Sequence, residues 1–402
     1  MGLLSDMKNR HFGFLGLLIT TTIYLFLDYY GPKEIPLERD HILGMSITRA
    51  NGLLVQEHDS EGRLWATRGM CAYRLNIQKT CFERQYHIPT GISLYWLRNF
   101  SFVRLLTRRP ECIELLPSTD GSAVAMSAGQ MWHRPGENSE FTQTLKLRHY
   151  RINGDLGIWH DGLVKLHGGS ILFGEYFRNS KHTDVRLYGS NDGGKNWHVA
   201  YEFPAGQIRH IHAVQQDPYT GKIWVLTGDE GKAAMMLWST DEGKTLTPLG
   251  GGQQKWRATQ LVFTQKNLIW GADTPKRDSN ETGIYQWDKN SRELKKKWNV
   301  DGAIYYATKL AKGTIVMSTV REGGANETDD KTRIWVITNN NNINSFIFGT
   351  WDWKKKHAKL RFSRNQGANE LAISVLNHKE HNNELILIPE EELVTVTKRR
   401  EN

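Results

Sequence analysis

Cysteine is scarce, with three residues among 402: Cys71, Cys81 and Cys112. That excludes a small fold stapled by several disulfides. One bridge remains open, between Cys71 and Cys81, which flank a short loop, with Cys112 left over. Long apolar runs are equally scarce. The run at residues 12–27 follows Lys8, Arg10 and His11. Counted through Tyr30 it is long enough to span a bilayer, which takes about 20 residues. No small-x-small cleavage site follows it, and residues 31–41 read as a polar linker. The segment therefore predicts an uncleaved signal-anchor over 12–30, a cytoplasmic tail over 1–11, and a domain over 42–398 facing outward as in a single-pass type II protein. Secretion after signal cleavage is the alternative.

A concentrated basic patch is missing as well. The net charge is +9, but the basic residues are dispersed, with short runs at 295–297, 354–356 and 398–400. The first two fall on or just after predicted outermost strands, where lysine discourages edge pairing. No nucleic-acid partner is expected. For an outward-facing basic domain, acidic glycans and anionic surfaces are the better-matched partners.

What the sequence does have is a repeat. Ser190, Asp192 and Gly194 form a Ser-x-Asp-x-Gly pattern that recurs at Ser239, Asp241 and Gly243, roughly fifty residues on, within the range of propeller blades. Around the second copy run four β-like segments, 209–216, 222–227, 235–239 and 245–249, joined by turns. The same cycle overlays 158–204, 207–250, 254–300 and 303–354. Fourteen tryptophans and 37 glycines fit many short strands and tight turns. The expectation is an all-β, six- or seven-bladed propeller.

Aligning the units places polar residues at two positions. The second strands end near Glu175, Asp229, Asp273 and Arg321-Glu322. The first strands begin near His160-Asp161, Arg209-His210-His212, Trp256-Arg257 and Tyr305-Tyr306. Adjacent strands of a blade run antiparallel, so these positions share one rim of the central channel. Acids at strand ends are common turn residues. Four acids in register opposite basic and aromatic groups point instead to a site.

The two Ser-x-Asp-x-Gly stretches resemble the Asp-box of the sialidase-like (BNR-repeat) propellers. Residues 158–322 are similar to uncharacterised microbial members of that group described as glycosyl hydrolases. Asp-boxes also occur in non-enzymatic receptors, so the resemblance implies a fold more than an activity. Sialidases hold a carboxylate with three arginines and use a Tyr–Glu nucleophile and an Asp acid/base. The resemblance thus draws attention to Arg209, Arg257 and Arg321, and to Tyr305 and Tyr306. The Phe/Tyr-Arg-Ile-Pro motif that supplies the first sialidase arginine is absent ahead of the repeats.

Glycoside hydrolysis needs two carboxyl groups flanking the bond. Glu175, Asp229 and Asp273 are the expected catalytic acids, with Glu322 beside the substrate. Arg209, Arg257 and, further out, Arg186 would hold a carboxylate or sulfate, Trp256 would stack a sugar ring, and His160, Asp161, His212, Tyr305 and Arg321 complete the expected binding set. Elimination by a lyase is the alternative chemistry, with His210 or Tyr306 as base. A non-catalytic glycan- or protein-binding propeller is the third. No cofactor is expected, although His210 and His212, two apart on a strand, point to one face and leave a divalent metal open.

Overall fold

The computed structural model describes residues 31–89, 112–150, 156–160, 162–274, 280–324, 327–338, 342–364 and 367–398. The expected signal-anchor and Asp161 lie outside these residues. Among the described residues, no helix is long and apolar enough to cross a membrane.

Seven antiparallel sheets form a β-propeller. Blades three to six follow the repeat. Blade four, for instance, consists of His210–Gln216, Ile223–Gly228, Met235–Ser239 and Thr247–Gly251, within two residues of the predicted bounds. The burial of each strand follows its place in the blade. Ile223–Gly228 is buried at every position, because a central strand is covered by a neighbouring blade on both faces. The outermost strand of blade three, His198–Phe203, keeps most of its side chains partly or fully exposed. Leu294–Trp298, another outermost strand, exposes its three consecutive lysines. Apolar sheets between blades supply the core: Leu172, Leu187, Ile211, Val225 and Leu237 pack blade three on blade four.

Side-chain amides tie neighbouring blades together near the channel. Gln215 accepts from the Leu261 N–H at 2.7 Å and donates to the Leu261 carbonyl at 3.3 Å. Gln260 accepts from the Ala307 N–H at 2.7 Å, and Gln56 from the Leu115 N–H at 3.1 Å. These satisfy backbone groups that the innermost strands would otherwise leave unpaired.

The Ser-x-Asp-x-Gly turns lie between third and fourth strands, where the repeat places them, and are built alike. Ser190 Oγ accepts from the Gly194 N–H at 2.8 Å and donates to Asp192 Oδ1 at 2.9 Å, while Asp192 accepts from the Asn196 N–H at 2.9 Å. Ser239, Gly243, Asp241 and Thr245 repeat the pattern at 2.7–2.9 Å. The donors facing Asp192 and Asp241, first among them the N–H groups of Asn196 and Thr245, hold both carboxyls down at about 2. The turns are structural and far from the channel.

The ring closes by mixing the two ends of the chain. Met45–Asn51 pairs with Glu384–Pro389, so the last blade contains Glu38–Ile42, Met45–Asn51, Glu384–Pro389, Glu370–Leu376 and Lys359–Phe362. Glu34–Pro36 adds an outer strand to the first blade. The stretch expected as a linker therefore carries two strands. The C-terminal helix, Glu390–Lys398, covers the seam: Glu390 accepts from the Lys312 and Thr314 N–H groups at 2.8 and 3.0 Å, and Leu393 is fully buried.

The proposed Cys71–Cys81 bridge is corrected by the strand register. Both residues are buried, and neither is in a disulfide. They start consecutive strands of one hairpin, with Cys71 opposite His87 and Cys81 opposite Asn76. Five residues of strand separate the two positions, roughly 16 Å at the usual rise.

Closure predicts a sharp dependence on the N-terminal strand. A chain beginning at Leu54 should lose cooperative thermal unfolding, because Leu385 and Leu387, buried beside Met45–Asn51, would sit on an open edge. A two-state melt in that truncation, unchanged in midpoint, would contradict the closure.

Candidate functional site

At one mouth of the channel, innermost strands begin and second strands end. Which side chains face it is decided by the two-residue period of a strand. Glu175 and Tyr176 show this most simply. Glu175 turns into the blade, where Arg148 grips it bidentately at 3.0 and 2.6 Å and the Arg186 N–H donates to it at 2.9 Å. Its neighbour Tyr176 faces the mouth, with its ring 4.1 Å from that of His210. Arg321 and Glu322 divide in the same way. Arg321 is fully buried against Asp301, at 2.5 Å, whereas Glu322 accepts from the Tyr305 hydroxyl at 3.3 Å and lies 3.4 Å from His357 Nδ1. Glu175 and Arg321 are therefore held as structural ion pairs, and the three-arginine cluster implied by the resemblance does not assemble.

Asp229 is the hub of the mouth. Its Oδ1 lies 3.1 Å from His210 Nε2, 3.2 Å from His212 Nε2 and 3.1 Å from Arg257 Nη2. Arg209 approaches Oδ2 at 3.4 Å from the solvent side. Arg257 also reaches Asp273 Oδ2 at 2.9 Å, bridging two acids from adjacent blades. The two carboxyls are driven apart. Burial opposes ionisation of Asp229, but His210, His212 and Arg257 hold it well below the usual range. Asp273 is more deeply enclosed; burial raises it despite Arg257, and its Oδ1 has no hydrogen-bond partner among the described residues.

The other side of the mouth is aromatic. The Trp159 ring packs 4.5 Å from Tyr176 and 6.1 Å from Tyr305, and Lys359 Nζ lies 4.7 Å from the Trp159 ring centre and 4.9 Å from that of Tyr305. Burial pushes the Lys359 ammonium down to about 8, against the pull of Glu322 and Asp273. Burial and the same two acids push the Tyr305 phenol well above its ordinary value. Burial does the same to Tyr176, helped by Asp229 and Asp273.

Below these groups the channel has a floor. Glu114, fully buried, accepts from Arg364 at 2.7 Å and lies 3.5 Å from Arg361 Nη2 and 3.3 Å from His160 Nδ1. Burial and then Arg361 push His160 down to about 3, so it is neutral. Tyr306 packs beside it, its ring 6.0 Å from His160 and 6.2 Å from Phe362. Both residues therefore stand beneath the mouth.

Two further expectations move. Trp256 stacks on Trp270 at 5.8 Å within an apolar cluster between blades, so it presents no face to a sugar. Arg186 pairs with Glu202 at 2.7 Å on the outer part of its blade. The structure thus brings together Arg209, His210, His212, Asp229, Arg257, Asp273, Tyr305 and Glu322. It adds Trp159, Tyr176 and Lys359, of which Lys359 lies in the last blade, outside the legible repeat. A cavity of about 490 Å³ opens at the opposite end of the channel, lined by Glu57, Asp59, Lys165 and Arg364 among others. Its acids are already committed, Glu57 to Arg364 at 3.3 Å and Asp59 to Arg63 at 2.8 Å.

Neither a protein-family model nor a curated protein matches the sequence. Solved structures do. An oligogalacturonate lyase from Vibrio parahaemolyticus is 10% identical, with 90% of this chain and 100% of that one covered at a TM-score of 0.56. A GH74 enzyme of Niastella koreensis is 14% identical, with 74% of this chain covered at a TM-score of 0.49; the match spans 45% of that enzyme's length. The Neurospora crassa Pan2 WD40 domain is 11% identical, with 85% and 90% covered at 0.48. At such identities the likeness is one of fold.

Two consequences are measurable. Removing Arg148 strands a carboxylate whose side chain is 3% exposed, so Arg148→Ala should destabilise the protein by about 3 kcal/mol; the double variant with Glu175→Gln should recover part of that in chemical denaturation. His160 binds its proton in the unfolded chain near pH 6.5 but in the folded one only near 3. Stability present above about pH 6.5 is therefore lost as pH falls toward 3. The acid limb of the stability–pH curve should flatten in His160→Asn, and an unchanged limb would contradict the neutral assignment.

Proposed function

We propose that this mouth binds an acidic polysaccharide or glycoconjugate and cleaves it by β-elimination, with Lys359 as base and Tyr305 as acid. The observation that carries the reading is the juxtaposition of Lys359 and Tyr305 beside Trp159, with Lys359 4.7 Å from its ring centre and Tyr305 6.1 Å away in an edge arrangement. A sugar ring stacked there would have a base and a proton donor at its edge. Arg209, with a side chain 26% exposed, and Arg257 stand nearby to neutralise the carboxylate of a uronate, which acidifies the adjacent carbon.

The protonation states suit those roles. A base works best with a pKa near the working pH, and Lys359 is lowered to about 8. The phenol of Tyr305, raised well above its usual value, remains protonated and able to donate. In the step, neutral Lys359 takes the proton from the carbon next to the carboxylate. The electron pair forms the ring double bond as the glycosidic C–O bond breaks, and Tyr305 protonates the departing oxygen. No water is consumed, and the products are an unsaturated uronate and a new reducing end. An oligogalacturonate lyase shares the fold, so a propeller accommodates this chemistry.

Hydrolysis is the second reading. Its support is the pair Asp229 and Asp273, whose oxygens touch one Arg257 nitrogen at 3.1 and 2.9 Å. Sharing that nitrogen keeps the two oxygens within about 6 Å of each other, near the roughly 5–5.5 Å of the retaining geometry. Against it, Asp273 is 2% exposed. Tethering through residues 12–30, with the propeller outside the cytoplasm, belongs to the proposal as well. It would place the mouth where exported or environmental polysaccharides are met.

The test is incubation of the chain with uronate-containing and neutral polysaccharides, reading both reducing ends and the ultraviolet absorbance of unsaturated products. Elimination is expected to produce both, to accelerate as pH rises through about 8 with loss of the Lys359 proton, and to fall about 10²–10⁴-fold in Lys359→Met and Tyr305→Phe. Reducing ends without the absorbance would overturn elimination in favour of hydrolysis. Binding without either product would leave a glycan-binding propeller.

A further inference from the structure

We propose that His210, His212 and Asp229 form a three-ligand site for a divalent first-row transition cation. The first support is the hydrogen bonding of the imidazoles. His210 Nδ1 lies 2.8 Å from the Phe177 carbonyl and His212 Nδ1 3.1 Å from the Ala258 carbonyl. A carbonyl only accepts, so each Nδ1 carries a proton. In the neutral rings both Nε2 atoms are then lone pairs. They face each other at 3.1 Å and share Asp229 Oδ1 at 3.1 and 3.2 Å. Three acceptors then converge at one point, and the donor facing it is Arg257 Nη2, 3.1 Å from Asp229 Oδ1.

The second support is the shape of that triangle. Bonds of about 2.1 Å from a cation to nitrogen and carboxylate oxygen put neighbouring donors about 3.0 Å apart at right angles and about 3.4 Å apart in a tetrahedron. All three observed edges fall between those values. The backbone carbonyls that fix the Nδ1 protons are the outer partners that metal-binding histidines use to set ring orientation. Both rings are 2% exposed and cannot swing away. Gly228 makes room for one of them: a Cβ there would lie 2.2 Å from His212 Cε1.

The remaining neighbours are compatible with a cation. Arg257 also donates to Asp229 Oδ1 at 3.1 Å, but its charge is balanced by Asp273 at 2.9 Å. Tyr176 covers His210 with its ring. Two imidazoles and one carboxylate suit zinc, manganese, iron, cobalt or nickel over calcium or magnesium. Three protein ligands leave positions open toward the mouth, where a substrate carboxylate would bind if the glycan reading holds. Cation binding itself does not depend on that reading. The competing arrangement is a proton on one Nε2, which would also hold the triangle together.

The experiment is calorimetric titration of the chelator-treated full chain with Zn²⁺ and, separately, Mn²⁺, with no glycan present. One saturable equivalent of at least one cation is expected, together with a rise in melting temperature. His212→Gln and Asp229→Asn should each weaken the uptake by at least about 100-fold, while His167→Asn, at the opposite mouth, leaves it unchanged. Asp229, with a side chain 19% exposed, carries the test should His212→Gln fail to fold. Uptake that survives both ligand substitutions, or saturable uptake of neither cation, would overturn the site in favour of the proton. Failure of the polysaccharide panel would leave these outcomes untouched.

Discussion

The pairing of Met45–Asn51 with Glu384–Pro389 is the contact on which the rest depends. A sheet edge left open would invite pairing with another chain, and an open ring would not hold its blades at a fixed angle. Once closed, the ring gives each mouth residue an address it could not have within its own blade. Arg257 meets Asp229 across one blade boundary and stays beside Asp273 within its own. Lys359, from the last blade, lies over Trp159 from the third. The glutamines that link neighbouring inner strands keep those addresses to within a hydrogen bond.

Much of this was legible in the sequence. Repetition of the Ser-x-Asp-x-Gly turn and of four short segments marked the blades from 158 to 354, and antiparallel order placed the polar strand ends at one rim. At two positions the reading slipped by one residue. Glu175 and Tyr176 are neighbours, and a single step along a strand exchanges the two faces. A carboxylate drew attention that belonged to the tyrosine beside it. Arg321 and Glu322 show the same ambiguity, settled only by Asp301 waiting on the buried side. Trp256 and Trp159 both begin their units, yet one faces a neighbouring blade and the other the mouth. Lys359, Glu114 and Arg361 were missed because the second and last blades carry no clear copy of the repeat. The hairpin that parts Cys71 from Cys81 is a matter of register, which a count of intervening residues does not contain.

The chemistry of the mouth follows from enclosing many ionisable groups with little water. Arg257 is shared by two acids, so their protonation diverges: the one with two histidines and two arginines stays charged, and the more deeply buried one is raised. The same enclosure lowers Lys359 and raises Tyr305, so the ammonium loses its proton more readily while the phenol keeps its own. The three-arginine arrangement implied by the resemblance to sialidases is not what this chain builds, because Arg321 is buried against Asp301. The fold is common to enzymes and binding domains alike, so the function rests on these side chains.

The most direct test is a crystal structure of the chain soaked with a uronate oligosaccharide. A ring stacked on Trp159, with its carboxylate toward Arg209 and Arg257 and its ring proton toward Lys359, is the expected result. A sugar seated instead at the opposite end of the channel, against Lys165 and Arg364, would contradict the assignment of the site.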